Sequence, residues 1–196
     1  MKSTAKAAPR KTGNTARPKT LPAAVEQPGS WHLARTETER RLSEFEFGLE
    51  RLAQAYYRWK AACLAAVCDV PLTGDDVAVL NVVRMGDEPK RLSEIGQLLN
   101  RVDVPNLQYA TRKLVRAGLI ETEGSSSRKE TRYRATVTGR AVTEAYAALR
   151  AATLPPMLEA LDGWAAKSET TRIQLELISS LYAQAAQVAI TRRHQP

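Results

Sequence analysis

Residues 91–120 constrain the fold of this chain more than any other stretch, because they carry two short helical patterns in close succession. Apolar residues recur at helical spacing in both halves, first at Leu92, Ile95, Leu98 and Leu99 and then at Leu107, Ala110, Leu114 and Val115. Asp103 is placed to cap the second helix, and Gly118 is placed to end it in a left-handed conformation. The spacing therefore predicts two short helices joined by a tight turn.

The face of the second helix that lies opposite its apolar residues is polar and basic. It carries Asn106, Gln108, Tyr109, Arg112, Lys113 and Arg116. Amide side chains can pair with adenine edges in a major groove, and guanidinium groups can bind guanine or phosphate. We predict base or groove-wall contacts for the first three residues and phosphate contacts for the three cations, with Arg112 able to do either. The alternative is a solvated basic face, which is ordinary on helices.

The residues after this second helix alternate in the way that is typical of a β-hairpin. Residues 119–123 and 132–137 predict two strands, and residues 124–127 predict the tip between them. Arg132 and Arg134 fall on one face of the second strand, so that face cannot belong to the core. Arg128 and Lys129 lie near the tip. We predict that these four cations contact DNA.

This order of elements resembles the MarR family of bacterial winged-helix regulators. The resemblance is carried by L-S-E-I-G-x-L-L, a turn, L-x-x-A-T-R-K-L-V-R-A-G-L-I and the basic hairpin, over residues 73–141. It implies a mainly α-helical fold: a winged helix-turn-helix with a three-helix core, a hairpin wing, and long N- and C-terminal dimerisation helices. It also implies a homodimeric repressor of transcription that binds double-stranded DNA at a pseudo-palindromic site, with half-sites about one helical turn apart.

The wing departs from the pattern of its relatives in two places. MarR wings carry an Asp-x-Arg at a set distance before the Leu-Thr that opens the next helix, whereas this chain has Lys129-Glu130-Thr131-Arg132 there. Arg128 and Arg132 are therefore both candidates for an arginine in the minor groove. We expect Thr138 to cap the next helix, so the glycine that relatives place three residues later is displaced to Gly139.

Two long apolar stripes flank this region, one at each end of the chain. A seven-residue repeat over residues 31–69 passes through Leu42, Phe45, Leu49, Leu52, Tyr56, Trp59, Cys63 and Ala66, and the last helix carries Ile173, Leu177, Ile178, Leu181, Ala185 and Val188. The first stripe can pack inside the chain or against a partner subunit. Its length favours a partner, because it exceeds what a small winged helix can cover. We assign to a dimer interface Leu42, Phe45, Leu49, Leu52, Leu177, Leu181 and Val188.

The remaining helices are bounded by capping residues and prolines. Thr73 to Asp76 form a capping-box variant that opens a short helix through Arg84. Pro155 and Pro156 should kink or break the helix that follows the wing, and Ser168 should cap the last helix.

Four aromatic residues are candidates for a small-molecule pocket: Tyr56, Trp59, Tyr146 and Trp164. Core packing is the alternative, because pockets and cores share an apolar lining. The MarR resemblance implies a phenolic or amphipathic anion as the effector. Some relatives also sense oxidants through a cysteine. Cys63 and Cys68 would project about 140° apart at roughly 100° per residue, so they are poorly placed to bridge, and we predict a buried, inert Cys63.

The net charge of the chain and the motifs that it lacks favour some classes of protein over others. Lys and Arg number 29 against 21 Asp and Glu, and this net charge of +8 favours a polyanionic partner. Six of the cations lie in residues 1–30, which predict either a solvated tail or an arm that tracks DNA. We see no run of about 18 apolar residues and no secretory signal, and expect a cytoplasmic protein. No phosphate loop, catalytic constellation or metal-ligand spacing is recognisable, so we predict neither an enzyme nor a cofactor or metal.

The sequence predicts four segments and leaves two other functions open. The segments are a basic tail (1–30), an N-terminal dimerisation helix (31–70), the winged helix-turn-helix (71–138) and C-terminal dimerisation helices (139–196). The first alternative is an architectural DNA binder that relies on the tail and has little sequence preference. The second is an adaptor whose basic face docks an acidic protein, although Asn106 and Gln108 suit bases better than acidic side chains.

Overall fold

The computed structural model describes residues 32–124 and 131–193, in which six helices and three short strands are formed. In chain order they are α1 (Glu37–Ala65), α2 (Gly74–Arg84), β1 (Lys90–Arg91), α3 (Leu92–Leu98), α4 (Val104–Arg116), β2 (Ile120–Glu123), β3 (Arg132–Ala135), α5 (Val137–Glu159) and α6 (Trp164–Arg193). The chain forms two compact units that divide inside α1, the first ending at Arg51 and the second beginning at Leu52. The predicted tail, Arg128 and Lys129 lie outside the described residues.

One hydrophobic core holds α2, α3, α4 and β2 together in the second unit. Its most deeply buried side chains include Leu64, Val77, Leu80, Ile95, Leu107, Leu114, Leu119 and Ile120. The helical spacing of Val115 predicts that it is buried with Leu107 and Leu114, but this is wrong, since Val115 is 37% exposed. Thr111 is buried instead. Its hydroxyl donates to the carbonyl oxygen of Leu107 at 3.0 Å, which removes the cost of burying an unpaired polar group.

The wing sheet contains a third strand that the sequence pattern did not predict. β1 pairs with β3 and β3 pairs with β2, all antiparallel, in the order β1-β3-β2. Lys90 in β1 is buried because its ammonium group donates to the backbone carbonyl oxygens of Met85 and Glu88. A strand of two residues is too short to show an alternating pattern, which explains why it was missed.

The start of α2 packs closely against α1. As predicted, Thr73 and Asp76 form a capping box, in which the Thr73 hydroxyl accepts from the Asp76 N–H and the Asp76 carboxylate accepts from the Thr73 N–H. A Cβ atom at Gly74 would lie only 2.6 Å from the carbonyl oxygen of Tyr57. Glycine is therefore needed at this position for the two helices to approach.

The helix after the wing starts two residues earlier than predicted. Thr136, and not Thr138, is its cap, because the Thr136 hydroxyl accepts from the N–H of Gly139 at 2.9 Å. Gly139 consequently lies three residues after the capping threonine. The spacing found in MarR relatives is therefore present, and the predicted displacement of this glycine is wrong.

Pro155 and Pro156 are expected to kink or break the helix; a break is not found, because α5 continues through both residues to Glu159. The φ angle that proline imposes suits a helix, but each proline removes an N–H donor and brings its ring against the carbonyl four residues earlier. Those carbonyls belong to Ala151 and Ala152, which are both exposed residues. A turn through Gly163, at a φ of 70°, then leads into α6, which begins before the predicted cap at Ser168.

α6 keeps much of its apolar surface in contact with solvent. Leu177 is 61% exposed and Leu181 is 62% exposed.

Among the helices of the described residues, none combines the length and the apolar character needed to span a membrane.

Candidate nucleic-acid interface

α4 presents most of its predicted DNA-binding face to solvent. Tyr109 is 63% exposed, and Asn106, Arg112 and Arg116 are also exposed, while Gln108 is half-buried. The opposite face of the helix is anchored in the core, so the orientation of this surface is fixed. An exposed helix face with amides, an aromatic ring and guanidinium groups offers the donors and acceptors that base edges and phosphates require.

Lys113 differs from the other predicted phosphate contacts because it has a partner inside the domain. Its Nζ atom lies 2.7 Å from Oδ2 of Asp76, whose side chain is almost fully buried. The same carboxylate caps α2, so a single ion pair joins the start of α2 to the last turn of α4. Binding of phosphate by Lys113 would require this pair to break, which makes Lys113 first of all a contact that positions α4.

The turn before α4 contains a charge network that begins at the predicted cap. Asp103 does precede the helix, but its side chain makes no capping hydrogen bond. Its carboxylate instead accepts from the guanidinium of Arg101 at 2.9 and 2.5 Å and from Nδ2 of Asn106 at 3.0 Å. Arg101, with Asn106 contributing less, holds the pKa of the Asp103 carboxyl well below its usual range. Sequence reasoning missed Arg101, for which the signal was an acidic residue two positions later.

The two arginines in the described part of the wing, Arg132 and Arg134, bind groups of the same domain. Nε of Arg134 lies 2.7 Å from Oε1 of Glu121, its cross-strand neighbour. Arg132 donates from Nη1 to the carbonyl oxygen of Pro89 at 3.1 Å, beside β1. Both predicted wing contacts are therefore tied to the sheet in the free protein.

A cavity of about 440 Å³ lies at the side of the winged helix, and three of the four predicted aromatic residues line it. Tyr56, Trp59 and Tyr146 lie along its wall, with the ring centres of Trp59 and Tyr146 6.2 Å apart. Trp164 does not line it. Burial raises the pKa of Tyr146 to about 12, so its hydroxyl stays protonated at neutral pH.

Two arginines give this aromatic cavity a basic edge. Arg84 is bound by acidic side chains, at 2.6 Å from Asp87 and 3.4 Å from Glu144. Arg150 also lines the cavity and is exposed to solvent. Arg150 is therefore the better placed of the two to bind an entering anion.

Cys63 is buried beside the same cavity. Its thiol faces the carbonyl oxygen of Tyr146 at 3.9 Å, and burial raises its pKa. The thiolate needed for oxidation or metal binding is therefore disfavoured, in line with the predicted inert cysteine. Cys68 is half-buried and also free. In residues 32–124 and 131–193, no three His, Cys, Asp or Glu side chains are grouped in a way that could hold a metal ion.

Comparison with known proteins agrees with this geometry. A family model described as a winged helix DNA-binding domain matches residues 72–139. Compared with AbfR of Staphylococcus epidermidis, the chain is 18% identical with a TM-score of 0.59, over 76% of this chain and 96% of AbfR. A MarR mutant from E. coli complexed with operator DNA is 18% identical with a TM-score of 0.58, over 73% of this chain and 99% of MarR.

A third similar structure is the transcriptional repressor CouR bound to a 23-mer DNA duplex. It is 23% identical with a TM-score of 0.56, over 70% of this chain and 95% of CouR. No curated protein sequence matches the chain significantly.

Residues 72–139 therefore form a winged helix DNA-binding domain. The fold of the chain is that of the MarR-type regulators, mainly α-helical with a small three-stranded wing sheet. The winged-helix fold expected from the two short helices and the hairpin is confirmed.

Proposed function

We propose that the protein is a sequence-specific regulator of transcription of the MarR type, a homodimer that represses by binding a pseudo-palindromic site in double-stranded DNA. The observation that carries this proposal is the exposed face of α4, with Tyr109, Arg112 and Arg116, inside a domain of DNA-binding type. α4 would enter a major groove by its N-terminal turn, and the wing would follow the adjacent minor groove. The MarR and CouR structures contain DNA, which supports this partner. DNA binding also fits the cytoplasmic location expected from the sequence.

Exposed apolar side chains support the homodimer. In α6 they include Leu177, Leu181 and Val188. In α1 they include Leu42 and Phe45 in the first unit and Leu52 at the start of the second, whereas Leu49 is half-buried. Apolar side chains grouped along one side of a helix are rarely all left in water, and such a group usually marks an interface. A second copy of the chain would bury it and would place two copies of α4 at the two half-sites.

Binding to DNA selected from a randomised duplex library, measured over a range of salt concentrations, tests this function. A specific regulator should keep a preference of about 10³-fold or more over scrambled DNA at roughly 150 mM salt. Equal, strongly salt-dependent binding that collapses when residues 1–30 are deleted would identify the architectural binder instead. Failure to bind any duplex would contradict both and favour the adaptor.

Arg112→Ala should weaken binding to the selected duplex by about 10- to 100-fold, because it removes an exposed guanidinium from the centre of α4. Loss of a phosphate contact would also lower the slope of log K against log salt by about one. Arg58→Ala is the matched control, since it removes the same charge from an exposed position on α1. Equal affinities for Arg112→Ala and Arg58→Ala would exclude a DNA contact by Arg112.

The cavity supports an effector response, and the class of ligand that we propose is a small aromatic anion. The ring of such a ligand would pack against Trp59 and Tyr146 and its carboxylate would approach Arg150. Salicylate should therefore change the tryptophan fluorescence of the protein, and Arg150→Gln should weaken binding by about 10-fold or more. Arg116→Gln, which removes a cation outside the cavity, should leave salicylate affinity unchanged. Equal affinities of the two variants would contradict this site.

A further inference from the structure

A continuous chain of polar contacts runs from the start of α2 to the exposed face of α4. Nη1 of Arg101 lies 3.3 Å from Oδ1 of Asp75, and Nε and Nη2 of Arg101 donate to the two carboxylate oxygens of Asp103. Oδ2 of Asp103 also accepts from Nδ2 of Asn106. The side chain of Arg101 is only 19% exposed, so this cation serves the network more than it serves a DNA phosphate.

The carboxylate of Asp103 determines how the amide of Asn106 is turned. An ionised carboxylate accepts hydrogen bonds and cannot donate them, so Asn106 must direct its NH₂ group toward it. The orientation of an asparagine amide is often ambiguous, but an acceptor-only partner removes that ambiguity. The carbonyl oxygen of the amide then points away from Asp103, on an exposed side chain. One N–H of the amide also remains available.

The carboxylate of Asp103 is unexpected at the start of α4, on the surface proposed to bind DNA. It lies at the start of the helix that would enter a major groove, where it would repel DNA phosphates if its charge were not balanced. Arg101 balances the charge, yet Asp103 makes no capping hydrogen bond to α4. The Asp103 side chain therefore does not cap α4, and its hydrogen-bond partners are the side chains of Arg101 and Asn106.

We propose that Asp103, held by Arg101, is a positioning residue that determines base preference by fixing Asn106 with its carbonyl acceptor toward the DNA. An acceptor requires a donor on the base edge, which adenine provides at N6 and cytosine at N4, whereas guanine and thymine present acceptors. Adenine fits best because its N7 can also accept the remaining N–H of the amide. This inference rests on the proposed function, and it predicts an adenine opposite Asn106 in each half-site.

The test compares wild-type, Asp103→Asn and Asn106→Ala full-length proteins on the selected duplex, with every position changed in turn to the other three base pairs. Asn is as good a helix-starting residue as Asp and has nearly the same shape, but its amide offers a donor that lets Asn106 turn either way. At one position per half-site, the preference for adenine over guanine and thymine should fall about 5- to 100-fold in Asp103→Asn. Asn106→Ala should remove the preference at that same position, and preferences elsewhere should not change.

Asp87→Asn is the matched control. It also removes a carboxylate that is paired with an arginine, at 2.6 Å from Arg84, and Asn tolerates its φ of 61°. This variant should change no base preference. A uniform loss of affinity on all duplexes in Asp103→Asn would overturn the inference. So would effects of Asp103→Asn and Asn106→Ala at different positions of the duplex, or a guanine or thymine at the affected position. A wild-type protein that selects no sequence would overturn the proposed function together with this inference.

Discussion

Replacement of Gly139 by alanine is expected to destabilise the winged-helix domain by about 3 kcal/mol, at the upper end of the usual cost of overpacking. The added Cβ atom would lie 1.8 Å from the carbonyl oxygen of Leu119, which is backbone and cannot move aside cheaply. That carbonyl accepts the N–H of Thr136, so the methyl group would separate the start of α5 from β2. The melting temperature should fall by roughly 6 to 12 °C for a chain of this size.

Gly48→Ala is the control for this substitution. Gly48 lies inside α1, and apart from its chain neighbours and the backbone of its own helix no atom lies within 4 Å of the position that its Cβ would occupy. Alanine there should stabilise the helix by about 0.5–1 kcal/mol, because glycine is the poorer helix former. A Gly139→Ala protein as stable as Gly48→Ala would show that the start of α5 does not pack closely against the backbone of Leu119.

Placing aspartate at both Leu177 and Leu181 should convert the proposed dimer to a monomer. Both side chains are exposed on one side of α6, and two carboxylates in an apolar interface would carry an uncompensated desolvation cost. Light scattering should show about 43 kDa for the wild type, twice the 21.6 kDa of one chain, and half of that for the variant. Affinity for a two-half-site duplex should fall by about 10²- to 10⁴-fold, because the second half-site contact is no longer intramolecular.

The pair Ala183→Asp and Ala186→Asp gives the same charge change on nearly the opposite side of α6, at about 100° per residue. Both alanines are exposed, so this variant should remain a dimer and keep its DNA affinity. A monomeric wild type, or a Leu177/Leu181 variant that remains a dimer, would exclude α6 as the interface.

The elements with strong local signals were the ones that the sequence could predict. α3 and α4 follow from apolar periodicity, and Asp103 and Gly118 mark the limits of α4. The cap of α5 depends on tertiary structure: Thr136 and Thr138 are equivalent in sequence, but only the N–H of Thr136 reaches the carbonyl of Leu119. β1 forms through its hydrogen bonds to β3, and a strand of two residues is too short to show an alternating sequence pattern.

The sequence predicted which residues form the candidate site, but it did not predict which of them pair with one another or with the rest of the domain. The exposed face of α4 follows from its periodicity, so Tyr109, Arg112 and Arg116 are where the sequence puts them. The partner of Lys113 lies 37 residues away in the chain, a separation at which no local pattern identifies an ion pair. Charge counting therefore overestimates how many cations α4 has free for DNA.

The two prolines near the end of α5 have a mechanical consequence. Because neither Pro155 nor Pro156 can donate a hydrogen bond, one turn of the helix is held by two fewer bonds than its neighbours, just before the chain enters α6. This turn should bend more easily than the rest of α5. In a dimer joined through α6, each winged helix could then change its angle to α6 independently of the other. The distance between the two copies of α4 would then adapt to the spacing of the half-sites in the DNA.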